Sequence, residues 1–184
     1  SLDWAGAPKR YALGGILMQS ITDPPPFVSR MFVSSARHFA LSLTNTLCIS
    51  HPAENGVVTL GTRDFADYAV SARLTPQLHE RGGLVIRARG HRQYYAALLS
   101  GGDTLSIVRR DAAGDTLLAS APLTYGQFEP LDMTLSAVGA CLTARVGQTE
   151  LAAEDTQRRY PSGGAGFRVD FGTMMADDLS IASR

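Results

Sequence analysis

Residues 61–102, GTRDFADYAVSARLTPQLHERGGLVIRARGHRQYYAALLSGG, dictate most of what this chain can become. Apolar and polar side chains alternate along this run with period two, the spacing of a strand that buries one face. Residues 67–75 set Tyr68, Val70, Ala72 and Leu74 against Ala69, Ser71, Arg73 and Thr75. Residues 83–89 set Leu84, Ile86 and Ala88 against Val85, Arg87 and Arg89. Residues 93–100 are apolar on both sides, as suits a central strand covered on both faces. Ser100-Gly101-Gly102-Asp103 then closes the run as a hairpin turn.

The same punctuation continues downstream. Strands are expected over 104–110, from a turn at 111–115 through 119, and over 131–138, 141–146, 166–170 and 174–181. Short strands at spacings of roughly 8–12 residues, with almost no helical period, predict an all-β antiparallel sandwich rather than a parallel α/β sheet. Residues 1–56 read differently. Asp23-Pro24-Pro25-Pro26 must be extended, because proline fixes φ and restricts its predecessor. Strands are expected at 27–33, 38–43 and 47–50. Fifty-six residues make a poor independent core, so they are read as outer strands and a Pro-rich loop of one 1–184 domain whose core spans 57–182.

Composition narrows the function classes. Lys+Arg and Asp+Glu both number 17, so the formal net charge is zero. That disfavours nucleic acid and anionic membrane as partners, since both attract a basic stripe. No apolar run approaches the roughly 18 residues of a membrane span, and nothing reads as a signal peptide. The opening Ser1-Leu2-Asp3, without Met, is read as that of a fragment or a processed product. Cys48 and Cys141 are expected as buried free thiols, because buried cysteine behaves as a small hydrophobe. The histidines, His38, His51, His79 and His91, show no i, i+2 or i+4 pairing, so no metal site can be read from their spacing.

In order, the central run shows Asp67-Tyr68 to Thr75-Pro76, then Gly82-Gly83-Leu84-Val85-Ile86-Arg87, then Tyr94-Tyr95-Ala96-Ala97-Leu98. Together with the late Pro161-Ser162-Gly163-Gly164-Ala165-Gly166-Phe167 and Ala176-Asp177-Asp178-Leu179-Ser180-Ile181, this resembles the concanavalin A-like (laminin G-type) jelly roll. That superfamily includes lectins, carbohydrate-binding modules and some glycoside hydrolases. Leu2-Asp3-Trp4-Ala5-Gly6-Ala7-Pro8 and Gly56-Val57-Val58-Thr59-Leu60-Gly61-Thr62-Arg63-Asp64-Phe65-Ala66-Asp67-Tyr68 carry a narrower likeness. They resemble the C-terminal accessory domain of bacterial ADP-ribosylglycohydrolase family proteins. The resemblance implies an upstream catalytic domain and a glycan or ADP-ribosylated ligand. It also implies magnesium only in that catalytic domain.

The chemistry of catalysis is sparse. The family's Gly-Asp-Thr/Asn-Asp element has partial echoes in Gly102-Asp103-Thr104 and Gly114-Asp115-Thr116, but both continue with leucine and both read as hairpin turns. No strand carries the paired carboxylates of a jelly-roll glycosidase; Glu150, Glu154 and Asp155 have the wrong spacing. Asp177-Asp178 is a poor calcium site, because adjacent strand residues face opposite sides. No cofactor is expected in this chain. What remains is arginine. Alternation turns Arg73, Arg87, Arg145 and Arg168 away from the core, and predicts that they share one open sheet face with Gln93, Tyr95 and Asp170. Arginine recognises carboxylate or phosphate bidentately, and Tyr94, Tyr95 and Trp4 offer stacking surfaces, although Tyr94 is expected in the core. A ligand-binding accessory domain is the favoured reading. A purely structural domain packed on a catalytic domain, and a jelly-roll glycoside hydrolase, are the alternatives.

Overall fold

The computed structural model describes residues 47–157 and 159–184. The strands expected at 27–33 and 38–43, and Trp4, lie outside the described residues. Among the described residues there are twelve strands: β1 (Leu47–His51), β2 (Gly56–Leu60), β3 (Tyr68–Pro76), β4 (Arg81–Gly90), β5 (Gln93–Ser100), β6 (Thr104–Asp111), β7 (Gly114–Pro122), β8 (Leu131–Val138), β9 (Cys141–Val146), β10 (Thr149–Glu154), β11 (Gly164–Asp170) and β12 (Gly172–Ser183). They form two six-stranded antiparallel sheets, β1-β12-β3-β8-β9-β10 and β2-β11-β4-β5-β6-β7. The protein is a jelly-roll β-sandwich, as the strand pattern predicts. Leu47–His51 is an edge strand of the first sheet.

The core fills the space between the sheets. Tyr68, Val70, Ala72 and Leu74 of β3 meet Leu84 and Ile86 of β4, Tyr95, Ala97 and Leu99 of β5, and Phe167 and Val169 of β11. Nearly all are fully buried, and each large aliphatic or aromatic side chain contributes about 1.5–3 kcal/mol of transfer free energy. The second sheet is also buried on its other face. Val85, Ala88, Tyr94, Ala96, Leu98 and Val108 form a separate apolar cluster there. The two-sided apolar character of β5 follows from this.

The alternation expected in β4 fails at Arg87. Ala88 falls on the Val85 face rather than the Leu84 face, because the register shifts between Ile86 and Gly90 and Arg87 takes a left-handed φ of 52°. Such a backbone is costly for a long side chain and persists only where its surroundings fix it. Here they do. The Arg87 backbone N–H donates to Tyr68 Oη, its Nε to Ala66 O, its Nη1 to Gly139 O and its Nη2 to Asp67 Oδ1, all within 2.8–2.9 Å. Tyr68 Oη in turn lies 2.9 Å from the carbonyls of Gly163 and Gly164. Burial pushes the Tyr68 hydroxyl up to about 12 against the opposing influence of Arg87, so it stays a donor. This corner ties β3, β4, the β8–β9 turn and the approach to β11 together.

Cys48 is half-buried on β1 and Cys141 is exposed on β9, and both are free thiols. The expectation that both are buried is therefore corrected. Cys141 sits at the start of its strand, where the side chain points to solvent.

Candidate functional site

The densest arrangement of charge lies on the second sheet, on the face opposite the main core. Arg168 of β11 is fully buried there and sits between Val57 on one side and Gly83 on the other. Gly83 has no room for a side chain, since a Cβ would fall 2.0 Å from Ala97 O. The guanidinium grips two carboxylates at once. Nη1 and Nη2 reach Asp115 Oδ1 and Oδ2 at 2.9 and 2.8 Å, while Nε and Nη2 reach Asp170 Oδ1 and Oδ2 at 3.0 and 2.8 Å. Burial opposes the charge on Arg168, but the hydrogen bonds to Asp115 and Asp170 outweigh it and hold the group firmly protonated.

Two further arginines complete the cluster. Arg81, at the start of β4, bridges Asp115 Oδ2 at 3.0 Å and Asp170 Oδ2 at 2.8 Å. Arg110, opposite Asp115 across the β6–β7 hairpin, reaches Asp115 Oδ1 at 3.2 Å. Burial would raise the Asp115 carboxyl, but hydrogen bonds from Arg168 and Arg110 and their charges hold it below the usual carboxylate range. Asn55 adds a link from the β1–β2 connection. Its backbone N–H donates to Asp170 Oδ1 at 2.6 Å, its Nδ2 to His91 O at 2.8 Å, and its Oδ1 accepts from Tyr94 Oη. Asn55 has φ of 64°, a left-handed backbone that asparagine tolerates better than most residues. The Tyr94 ring lies under Arg168, 5.9 Å from Cζ, and burial pushes its hydroxyl up to about 12. The cluster is not sealed: Arg81 keeps 27% of its side chain exposed, Arg110 15% and Asp115 14%.

The arginine face expected from alternation is not one face. Arg73 and Arg145 belong to β3 and β9 of the first sheet, whereas Arg87 and Arg168 belong to β4 and β11 of the second. Arg73 is half-exposed and pairs with Asp132 at 3.0 Å and Asp178 at 3.8 Å. Arg145 pairs with Glu150 of β10. Arg87 is buried in the corner described above. Alternation along single strands says which side chains leave the core, but not to which sheet a strand is assigned. Gln93 is exposed at the start of β5. Arg168 and Asp170 do come together.

The two tyrosines exchange roles relative to expectation. Tyr95 faces the main core, where its hydroxyl donates to Asp155 Oδ2 at 2.6 Å and is pushed up to about 12 by burial. Tyr94 faces the charged cluster. Asp115 is the largest surprise. As the middle of Gly114-Asp115-Thr116 it reads as a turn residue, yet its carboxylate holds three arginines. No local pattern singles out Arg81, Arg110 or Asn55 either. The one available signal is Arg110-Asp111-Ala112-Ala113-Gly114-Asp115, which places opposite charges across a tight hairpin.

Among the described residues, no group of three or more His, Cys, Asp or Glu could hold a metal ion. Asp178 of the Asp177-Asp178 pair occupies a bulge with φ of 53° and turns its carboxylate towards Arg73.

No protein-family model matches the chain, and no curated protein sequence matches it. Solved structures share its fold at low identity. The carbohydrate binding module CBM66 from Bacillus subtilis aligns with a TM-score of 0.60 and 13% identity, over 71% of this chain and 97% of that module. A protein of unknown function with a galectin-like fold, also from Bacillus subtilis, gives 0.56 and 15%, over 75% of this chain and 82% of the other. A fructosyltransferase from A. japonicus gives 0.57 and 15%, over 82% of this chain but only 28% of the enzyme. These likenesses show a jelly-roll, galectin-like β-sandwich fold.

Proposed function

We propose that this chain is a non-catalytic carbohydrate-binding β-sandwich, with the Arg81–Arg110–Asp115 face of the second sheet as its contact surface. The observation that carries the reading is the charged cluster itself, where Arg81 keeps 27% of its side chain exposed, Arg110 15% and Asp115 14%. Guanidinium, carboxylate and amide groups are fixed by one another in a constellation that can exchange hydrogen bonds with sugar hydroxyls at little ordering cost. The fold supports the reading, because the CBM66 module aligns over nearly its whole length. Sequence resemblance adds a finer proposal, that the chain follows an ADP-ribosylglycohydrolase-like catalytic domain and meets a glycan or an ADP-ribosyl group on its target.

The hydrolase alternative is disfavoured by the ionisation of the site. A glycosidase needs one carboxyl held protonated near neutrality, and Asp115 is held in the opposite direction. The structural-domain alternative draws on a different observation. Phe128 and Phe171 are exposed with left-handed backbones, and Leu78 is 72% exposed. The three flank one loop, since Phe128 N–H donates to Pro76 O and Thr173 N–H to Leu78 O. An apolar cluster of this kind suits contact with a neighbouring domain.

A glycan array followed by calorimetric titration of the full chain tests the proposal. We expect binding of at least one glycan class, weakened by Arg81→Ala and unaffected by Arg73→Ala on the other sheet. Absence of binding to every glycan and to ADP-ribose at millimolar concentration refutes it.

A further inference from the structure

The charged cluster does not balance. Three guanidinium groups, Arg81, Arg110 and Arg168, meet two carboxylates, Asp115 and Asp170. One positive charge has no counter-ion among the described residues. The Asp115 carboxylate is also saturated. It accepts four hydrogen bonds, from Arg81, Arg110 and both terminal nitrogens of Arg168. Asp170 accepts three, from two nitrogens of Arg168 and from the Asn55 backbone, and is ion-paired with Arg81. Two oxygens of a carboxylate offer about four lone-pair positions, so Asp115 can take no more.

Donors are left over. Arg81 Nε and Arg110 Nε are buried and have no hydrogen-bond partner. An unsatisfied buried N–H is costly, and more so on a charged group. Protonation cannot correct the imbalance, because it would add positive charge. Nor can the cluster shed its excess from Arg168, which is held charged. What corrects the charge is an incoming anionic oxygen, met by the exposed parts of Arg81 and Arg110.

We infer that this site takes a sugar bearing a carboxylate, a uronic-acid residue, with Arg81 and Arg110 as its anion-reading side chains. The inference rests on the carbohydrate-binding reading and deepens it. A carboxylate carries one negative charge and two coplanar oxygens, which match one excess positive charge and the planar guanidinium fork. A diphosphate linkage, as in ADP-ribose, carries two charges and would leave the site negative. Neutral glycans would leave the excess charge in place.

The test pairs each ligand with its uncharged twin. The full chain is titrated calorimetrically with oligomers of glucuronate, galacturonate and mannuronate, with their methyl esters, with neutral oligosaccharides and with ADP-ribose. At least one uronate should bind roughly 10- to 100-fold more tightly than its methyl ester, the range expected for hydrogen bonds to a charged group. That advantage should shrink with added salt. It should collapse in Arg110→Gln and persist in part in Arg110→Lys. Because the ester comparison uses the unaltered protein, it stands even if a variant fails to fold. Equal binding of acid and ester, or tightest binding by a neutral glycan, overturns the inference and leaves the carbohydrate-binding reading intact. Tightest binding by ADP-ribose overturns it in favour of a diphosphate ligand. If no saccharide and no ADP-ribose binds, both readings fall.

Discussion

Removing the Asp115 carboxylate should unfasten the second sheet. In Asp115→Ala, Arg168 keeps Asp170 but loses two hydrogen bonds at 2.8–2.9 Å, while Arg81 and Arg110 each lose one. Arg168 is fully buried, so water cannot replace the lost partner. Breaking a buried ion pair from one side costs about 3–5 kcal/mol, and here Arg168 keeps only one of its two carboxylates. The Arg81 and Arg110 contacts are partly solvated and add little, so the total stays in that range. Against a typical domain stability of about 5–15 kcal/mol, this is a large fraction. At roughly 2–4 °C per kcal/mol for a domain of this size, the melting temperature should fall by about 6–20 °C. Urea denaturation followed by tryptophan-independent far-ultraviolet dichroism should show a lower midpoint with an unchanged slope. Asp132→Ala, which removes the exposed partner of Arg73, is the control and should not move the midpoint measurably. If the two variants behave alike, the cluster is not the buried, cross-strand clamp described above.

Two further outcomes follow from the same geometry. Asp115 and Asp155 both have carboxyls held below the usual range: burial would raise them, but Arg168 and Arg110 at Asp115, and Tyr95 and Arg109 at Asp155, more than offset it. Their contribution to stability is therefore complete above the unfolded carboxylate value of about 3.9, and is lost as pH falls from there through the folded values. An acid titration of the urea midpoint should show this decline, and Asp115→Asn should flatten it; an unchanged profile in the variant refutes the assignment. Gly83→Ala should destabilise by about 3 kcal/mol or more, because its Cβ would lie 2.0 Å from the Ala97 backbone oxygen and must push β4 from β5. Gly90→Ala in the same strand, with nothing within 4 Å, should be neutral within about 0.5 kcal/mol, and similar midpoints for the two would refute the close approach.

The fold was legible because its signal is local. Tyr68, Val70, Ala72 and Leu74 alternate, and all four face the core. The turns at Gly101-Gly102 and Ala113-Gly114 fall where left-handed glycines allow them, with φ of 62° and 78° in the first and 135° at Gly114. Thr149–Glu154 carries no clear strand signal, since Leu151 is its one buried residue. The bulge at Arg87 escaped too. Nothing in Ile86-Arg87-Ala88-Arg89 marks a residue whose conformation is fixed by Tyr68, Ala66, Asp67 and Gly139.

The site was hardly legible, for a related reason. Asp115 stands 34 residues from Arg81 and 53 from Arg168 in the chain, so no spacing rule links them. They meet because β11, β4, β5, β6 and β7 are consecutive in one sheet. Likewise, no local pattern distinguishes Tyr94 from Tyr95 on a strand buried on both sides; only the identity of the facing sheet assigns one to the core and the other to the cluster. Arg168 and Asp170 lie two apart on one strand and so share a face, which alternation alone shows. The imbalance of three guanidiniums and two carboxylates could be found only after the strands were assembled. A chain with zero formal net charge thus conceals a local excess of one positive charge, and that excess is what makes the ligand question chemically specific.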